Sequence, residues 1–237
     1  MRALAMGLCL FCAMAIRVGA ECRQALALGL DVSGSVDLQE YRLQLDGLVS
    51  ALNHPDVLRL LLGSQSAPVA LLVYEWSGPE DQVLLVAWTD IRTPADVDFV
   101  SGILATTTRR TAAPGTALGT AMARGLEYLE QRRDCWKRTL DISGDGQSNL
   151  GPRPRDVKPK IASAGITVNA LVVGADAPVG ADRRQSDIAE LSSYFRTEVI
   201  VGEEAFVQTA LGFSAYADAM TAKLRRELQD VVIGALQ

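Results

Sequence analysis

Asp31-Val32-Ser33-Gly34-Ser35 places three oxygen-bearing side chains at alternate positions, directly after the apolar run Ala25 to Leu30. If the chain turns at Gly34, one carboxylate and two hydroxyls converge on a point. That donor set suits a hard divalent cation such as Mg2+, which takes oxygen ligands in near-octahedral geometry and keeps positions open for water or a ligand. The same five residues could equally form a serine-rich turn that caps the next helix. Other chemistries find little to work with. His54 is the single histidine and follows a helical segment in what reads as a loop, so histidine-dependent catalysis and zinc binding have one poorly placed candidate. No phosphate-binding P-loop occurs, and no Gly-x-Gly-x-x-Gly follows the first apolar run.

The chain of 237 residues, 49% hydrophobic and 22% charged, is long enough to bury one sizeable core and short enough for a single domain. Its first 20 residues are set apart from the fold: Arg2 gives a positive start, Ala3 to Ile16 an apolar stretch, and Val18-Gly19-Ala20 a small-residue cleavage signal. This pattern is that of a secretory signal peptide over residues 1–20, cut before Glu21, and predicts an exported protein, periplasmic or secreted, with no stable membrane insertion after cleavage. Loss of Arg2 and Arg17 with the leader, and of no acid, moves the formal charge from −5 to −7. An acidic, aromatic-poor domain is a poor partner for nucleic acid or anionic lipid. Cys9 and Cys12 leave with the leader, so the mature chain keeps Cys22 and Cys135, either a disulfide or two separately buried thiols.

Strands are expected over residues 24–30, 68–76, 82–88, 138–143, 166–173 and 197–201, and helices over 37–52, 93–104, 116–129, 156–164 and 185–192. The short turn holding Gly78-Pro79 forces the second and third strands into an antiparallel hairpin, since parallel neighbours need a crossover. From Glu203 the spacing of Phe206, Phe213, Met220, Leu224, Leu228 and Val231 predicts helix to the end of the chain. Its apolar stripe would pack on the domain. Alternating strands and helices imply an α/β fold: a mostly parallel sheet with one antiparallel edge strand and helices on both faces. In such sheets ligands lie at the carboxyl ends of the strands, where the Asp31 loop and the Asp145 loop both fall.

Three stretches together, Asp31-Val32-Ser33-Gly34-Ser35 after a strand, Gly115-Thr116-Ala117-Leu118-Gly119 opening a helix and Gly144-Asp145-Gly146 ending a strand, resemble the metal-ion-dependent adhesion site of von Willebrand factor type A (VWA) domains. The resemblance implies a three-layer, Rossmann-like VWA domain over residues 21–215, followed by a C-terminal helix over 216–237. It makes Ser33 and Ser35 direct metal ligands, with Asp31, Thr116 and Asp145 binding directly or through water. The cofactor it implies is Mg2+, with Mn2+ or Ca2+ as alternatives, and the partner a protein with an exposed Asp or Glu. The family commonly carries Thr before the final Asp-Gly, where this chain has Gly144. Glu75-Trp76-Ser77-Gly78, Trp88-Thr89 and Ser143 to Asn149 are similar to a group of bacterial exported VWA-like proteins of unassigned function. In this fold the first and fourth strands are parallel neighbours, which would bring Cys22 and Cys135 together at the opposite end of the pair as a disulfide.

The function so implied is non-enzymatic: a metal-dependent, adhesion-type binding module whose metal coordination a partner's carboxylate completes. Two other readings stand beside it. Gly144 to Asn149 also resembles the late metal-binding motif of haloacid-dehalogenase-type phosphatases, but that chemistry needs an acid-base aspartate two residues after the nucleophile, where Ser33 stands. Alternatively the domain is structural and its site unused. Asp141, interrupting a buried strand, reads as a hydrogen-bonded structural carboxylate rather than a group supporting the metal.

Overall fold

The computed structural model describes residues 22–174 and 181–234, so the leader expected over residues 1–20 lies outside the described residues. Six strands, β1 (Cys22–Asp31), β2 (Val69–Trp76), β3 (Gln82–Ile91), β4 (Cys135–Gly144), β5 (Thr167–Val173) and β6 (Val207–Ala210), form one sheet in the order β3-β2-β1-β4-β5-β6. The β2/β3 pair is antiparallel and the other neighbours run parallel. The chain reverses its direction of winding between β2 and β4, on either side of β1. The carboxyl ends of β1 and β4 therefore open onto the crevice where such sheets hold ligands.

Around the sheet lie α1 (Leu38–Leu52), α2 (Pro55–Leu61), α3 (Pro94–Thr106), α4 (Leu118–Glu130), α5 (Pro154–Ser163), α6 (Ala181–Tyr194) and α7 (Tyr216–Gly234). All ten residues of β1 are buried, as a strand covered on both faces requires. Alternation then sorts its side chains. Leu26, Leu28 and Leu30 join a cluster with Leu45 and Leu48 of α1, Val100 of α3 and Leu224 of α7. Ala25 and Ala27 face Met122 and Leu126 of α4, Ile161 of α5 and Phe195. Each fully buried Leu, Ile or Met contributes about 1.5–3 kcal/mol.

Two helix starts fix the neighbourhood of the site. Asp37 caps α1: its Oδ1 accepts from Glu40 N at 2.8 Å while Glu40 Oε2 accepts from Asp37 N at 2.8 Å. This reciprocal box satisfies two orphan amides and ends the Asp31 loop sharply. The loop expected after α1 is instead the short helix α2, with Pro55 in its first turn and His54 Nδ1 accepting from Asp56 N at 3.2 Å. Arg23 of β1 closes the other end of α2, donating to Leu60 O and, at 2.8 Å, to Leu61 O.

The C-terminal third departs from expectation. Thr197 to Val201, rich in β-branched residues, is not a strand: Phe195–Val199 form a π-helical turn continuing α6, and only Val201 bridges to Val168. The last strand is β6, inside the stretch expected to be helical from Glu203, and α7 begins at Tyr216. Phe195 and Val199 are fully buried, so packing on the sheet overrides the local strand propensity. α7 lies against α1, where Tyr216 fills the space left by Gly47.

Candidate metal centre

The Asp31 loop leaves β1 with Val32 N donating to Trp76 O at 2.9 Å, then turns so that Ser33 N donates to Asp31 Oδ1 at 2.9 Å. Gly34 N reaches Pro114 O at 3.1 Å. A Cβ at Gly34 would stand 3.0 Å from the Pro114 backbone, so the close approach of the two loops favours glycine. Thr116 is brought in by the second loop. Its N–H donates to Asn149 Oδ1 at 2.8 Å, its carbonyl accepts from Asn149 N at 2.9 Å, and Ala117 N donates to Ser77 O at 2.7 Å. Behind it, a Cβ on Gly119 would lie 2.1 Å from Pro152 O, so α4 starts where only glycine fits.

These anchors bring the five residues expected from the sequence into one cluster. Ser33 Oγ lies 3.3 Å from Ser35 Oγ and accepts from Thr116 Oγ1 at 3.4 Å, and Ser35 Oγ donates to Asp145 Oδ1 at 2.8 Å. Asp31, Ser33 and Thr116 are buried, whereas Ser35 is exposed and Asp145 half-buried. The cluster thus has a closed floor and one face to solvent. It contains two carboxylates and three hydroxyls. Among the described residues no Lys or Arg side chain pairs with either carboxylate, and Asp31 Oδ2 is buried without a hydrogen-bond partner. Burial, then the neighbouring charge of Asp145, push the Asp31 carboxyl up to about 8, against the lowering bonds from Ser33. Burial also raises Asp145. An orphaned buried carboxylate oxygen facing a second carboxylate and an all-oxygen donor set fit a hard divalent cation.

Three further residues hold the site and were not singled out from the sequence. Arg109 braces the Asp31 loop, donating to Asp37 O at 3.0 Å, Val32 O at 3.3 Å and Ser33 O at 3.4 Å. Gln44 Nε2 donates to Asp31 O at 3.0 Å, and Asn149 clamps Thr116. The available signals were an arginine in an otherwise polar loop, a glutamine on the buried face of an amphipathic helix and an asparagine just beyond Gly144-Asp145-Gly146. Asp141 shares strand parity with Asp145, but its carboxylate meets Lys223 of α7 and takes no part in the cluster.

At the other end of the β1/β4 pair, Cys22 and Cys135 are register partners and form a disulfide, their Cα atoms 4.6 Å apart. Asp134 lies beside them, but with both sulfurs in the disulfide no thiolate is left to bind metal. Among the described residues no helix is long and apolar enough to cross a membrane.

The architecture is shared with solved VWA-type structures. Proximal thread matrix protein 1 from the mussel byssus, solved with a zinc-occupied MIDAS motif, superposes with a TM-score of 0.59 at 15% identity over 89% of this chain and 47% of that one. A von Willebrand factor type A protein from Catenulispora acidiphila gives 0.57 at 12% identity, covering 87% and 43%. The pilus adhesin SpaC of Lactobacillus rhamnosus GG, in its open conformation, gives 0.56 at 14%, covering 89% and 30%. The chain thus spans less than half the length of these proteins, and at such identities the likeness is one of fold. No curated protein sequence matches the chain. A family model described as a protein of unknown function, DUF1194, matches residues 21–232. With its six-stranded sheet and the loops at the ends of β1 and β4, the chain has the VWA fold and belongs to the DUF1194 family.

Proposed function

We propose that this chain is an exported, adhesion-type binding module that holds a divalent cation, Mg2+ by donor chemistry, among Asp31, Ser33, Ser35, Thr116 and Asp145, and captures a protein partner through an exposed Asp or Glu. The observation that carries this reading is the pair of uncompensated carboxylates, one with an orphaned buried oxygen, ringed by three hydroxyls and open to solvent at Ser35. The bound ion would supply a Lewis-acidic position for the partner's carboxylate. The chain's own residues do the rest: the buried floor orients Asp31 and Ser33, and the Arg109 brace holds the loop without adding a charge to either carboxylate. Export is supported by the disulfide, which persists in oxidising compartments, and by the leader pattern of the sequence. Adhesion is supported by the VWA fold shared with a pilus adhesin and with a byssus protein whose MIDAS motif holds zinc. The phosphatase alternative gains no support, because Ser33 occupies the position of the acid-base carboxylate.

Water-proton relaxation of the Mn2+-loaded chain, titrated with glutarate, tests the reading. Enhanced relaxation that falls as the carboxylate displaces metal-bound water is expected, and it should be absent in Asp145→Ala. Metal-loaded protein whose relaxation does not respond to carboxylate would leave a cation site without the proposed capture role.

A further inference from the structure

The face of the sheet opposite α4 holds a second charged group, unrelated to the metal centre. Lys223 and Glu227, one turn apart on α7, and Asp141 of β4 are each at most 1% exposed. Lys223 Nζ touches Asp141 Oδ2 and lies 2.7 Å from Glu227 Oε1. Burial is the main cause that raises Asp141 to about 7, with the Lys223 ammonium opposing it and the nearby charge of Glu227 adding to it. Asn169 of β5 fixes the arrangement: its Nδ2 donates to Glu227 Oε1 at 2.7 Å, and its Oδ1 accepts from Phe206 N at 3.0 Å. The Phe206 ring lies 5.4 Å from the ammonium. Among the described residues, neither Asp141 oxygen has a hydrogen-bond donor beyond the ammonium group, and Glu227 Oε2 has none.

A lone ion pair would not need the third member. Two carboxylates and one ammonium leave a net negative charge in an apolar interior, which is costly. The same three groups, with the ammonium held against both carboxyls and away from water, have the composition of an amide-forming site: an amine, a carboxyl and a carboxylate able to shuttle a proton between them. We propose that Lys223 and Asp141 condense to an intramolecular isopeptide bond, with Glu227 as the proton relay. Transfer of one proton from the ammonium to Asp141 gives a neutral amine and a neutral acid. Nζ attacks Cγ of Asp141 as Glu227 takes a proton from nitrogen. Glu227 returns that proton to the departing hydroxyl, which leaves as water. One C–N bond forms, one C–O bond breaks, nothing is oxidised or reduced, and Glu227 ends as it began. Holding the reactants in contact replaces the activation such a condensation needs in solution. The product removes two ionisable groups from the core and ties α7 covalently to the centre of the sheet.

The test is mass spectrometry of the folded, full-length mature chain, reduced, alkylated and digested with trypsin. The expected result is a linked pair of peptides, one containing Asp141 and the other Lys223, lighter than their sum by one water, with no cleavage after Lys223. Separate peptides at full mass, with cleavage after Lys223, from protein that melts cooperatively would overturn the proposal. Glu227→Gln, which keeps the volume and loses the relay, is expected to give the two peptides unlinked. Complete linkage in that variant would overturn the role of Glu227. If Glu227→Gln does not fold, the parent chain alone decides.

Discussion

Asp31 is almost wholly buried beside a second carboxylate, so in the metal-free chain its carboxyl, raised to about 8 from 3.8, stays protonated where the unfolded chain has already ionised. Between these two values the folded state binds the extra proton. Its stability therefore falls as pH rises through that window, by about 1.4 kcal/mol per pH unit for one proton. Asp141 acts in the same direction up to about 7 wherever it remains a free acid, so the informative quantity is a difference between variants. Denaturant unfolding in chelator at pH 5 and pH 8 should show a larger loss in the parent than in Asp31→Asn, which carries no proton to lose. A loss of the same size in both would contradict the burial argument. Because a cation must displace that proton, its affinity should also tighten as pH rises from 5 to 8. Ser35→Ala is the milder change at this scale: it removes one exposed hydroxyl and its bond to Asp145, and metal affinity is expected to fall by about 1–2 kcal/mol, read by titration calorimetry.

At the scale of elements, the site depends on two loops that no single helix or strand fixes. Arg109 spans them with bonds to three carbonyls of the Asp31 loop, and its planar fork suits several acceptors at once. Arg109→Ala is expected to weaken metal binding about tenfold through loosened positioning while the melting temperature changes little. Arg109→Lys should not restore the affinity, and full affinity in Arg109→Ala would show that the brace is dispensable. Gly119→Ala should destabilise the fold by about 1–3 kcal/mol by overpacking against Pro152, measured by denaturant unfolding. The sequence made the parallel core legible because the apolar stretches of β1 and β5 alternate with helical segments, and the hairpin because Gly78-Pro79 sits between two apolar runs. It made the cluster of hydroxyls and carboxylates legible because such groups at strand ends are rare in apolar surroundings. It misread 197–201, whose β-branched residues favour a strand, because tertiary packing of Phe195 and Val199 decides there. β6, four residues long, left too short a pattern to detect against the helical spacing around it. Arg109, Gln44 and Asn149 act through backbone contacts between distant loops, and such contacts leave no spacing in one dimension.

For the whole molecule, the disulfide and the candidate metal cluster lie at opposite ends of the same strand pair, with Cys22 paired to Cys135 near the one and Leu30 paired to Ser143 near the other. The crosslink joins residues 113 apart in sequence, and closing so long a loop stabilises by up to about 4–5 kcal/mol in the chain-entropy model. Replacing both cysteines with serine is expected to lower stability within that bound and to leave metal affinity unchanged, since the β1/β4 pairing between the two ends is held by its own backbone register. A loss of metal binding in the folded double variant would mean the two ends are coupled. The central claim, that the end of the sheet at Asp31 and Asp145 is a cation site, is tested most directly by isothermal titration of the metal-stripped chain with Mg2+ and Mn2+, beside Asp31→Ala and Ser33→Ala. Saturable binding of one ion in the parent, abolished in both variants, is the expected result. Heats no different from dilution in a folded parent chain, or binding that survives both substitutions, would contradict it.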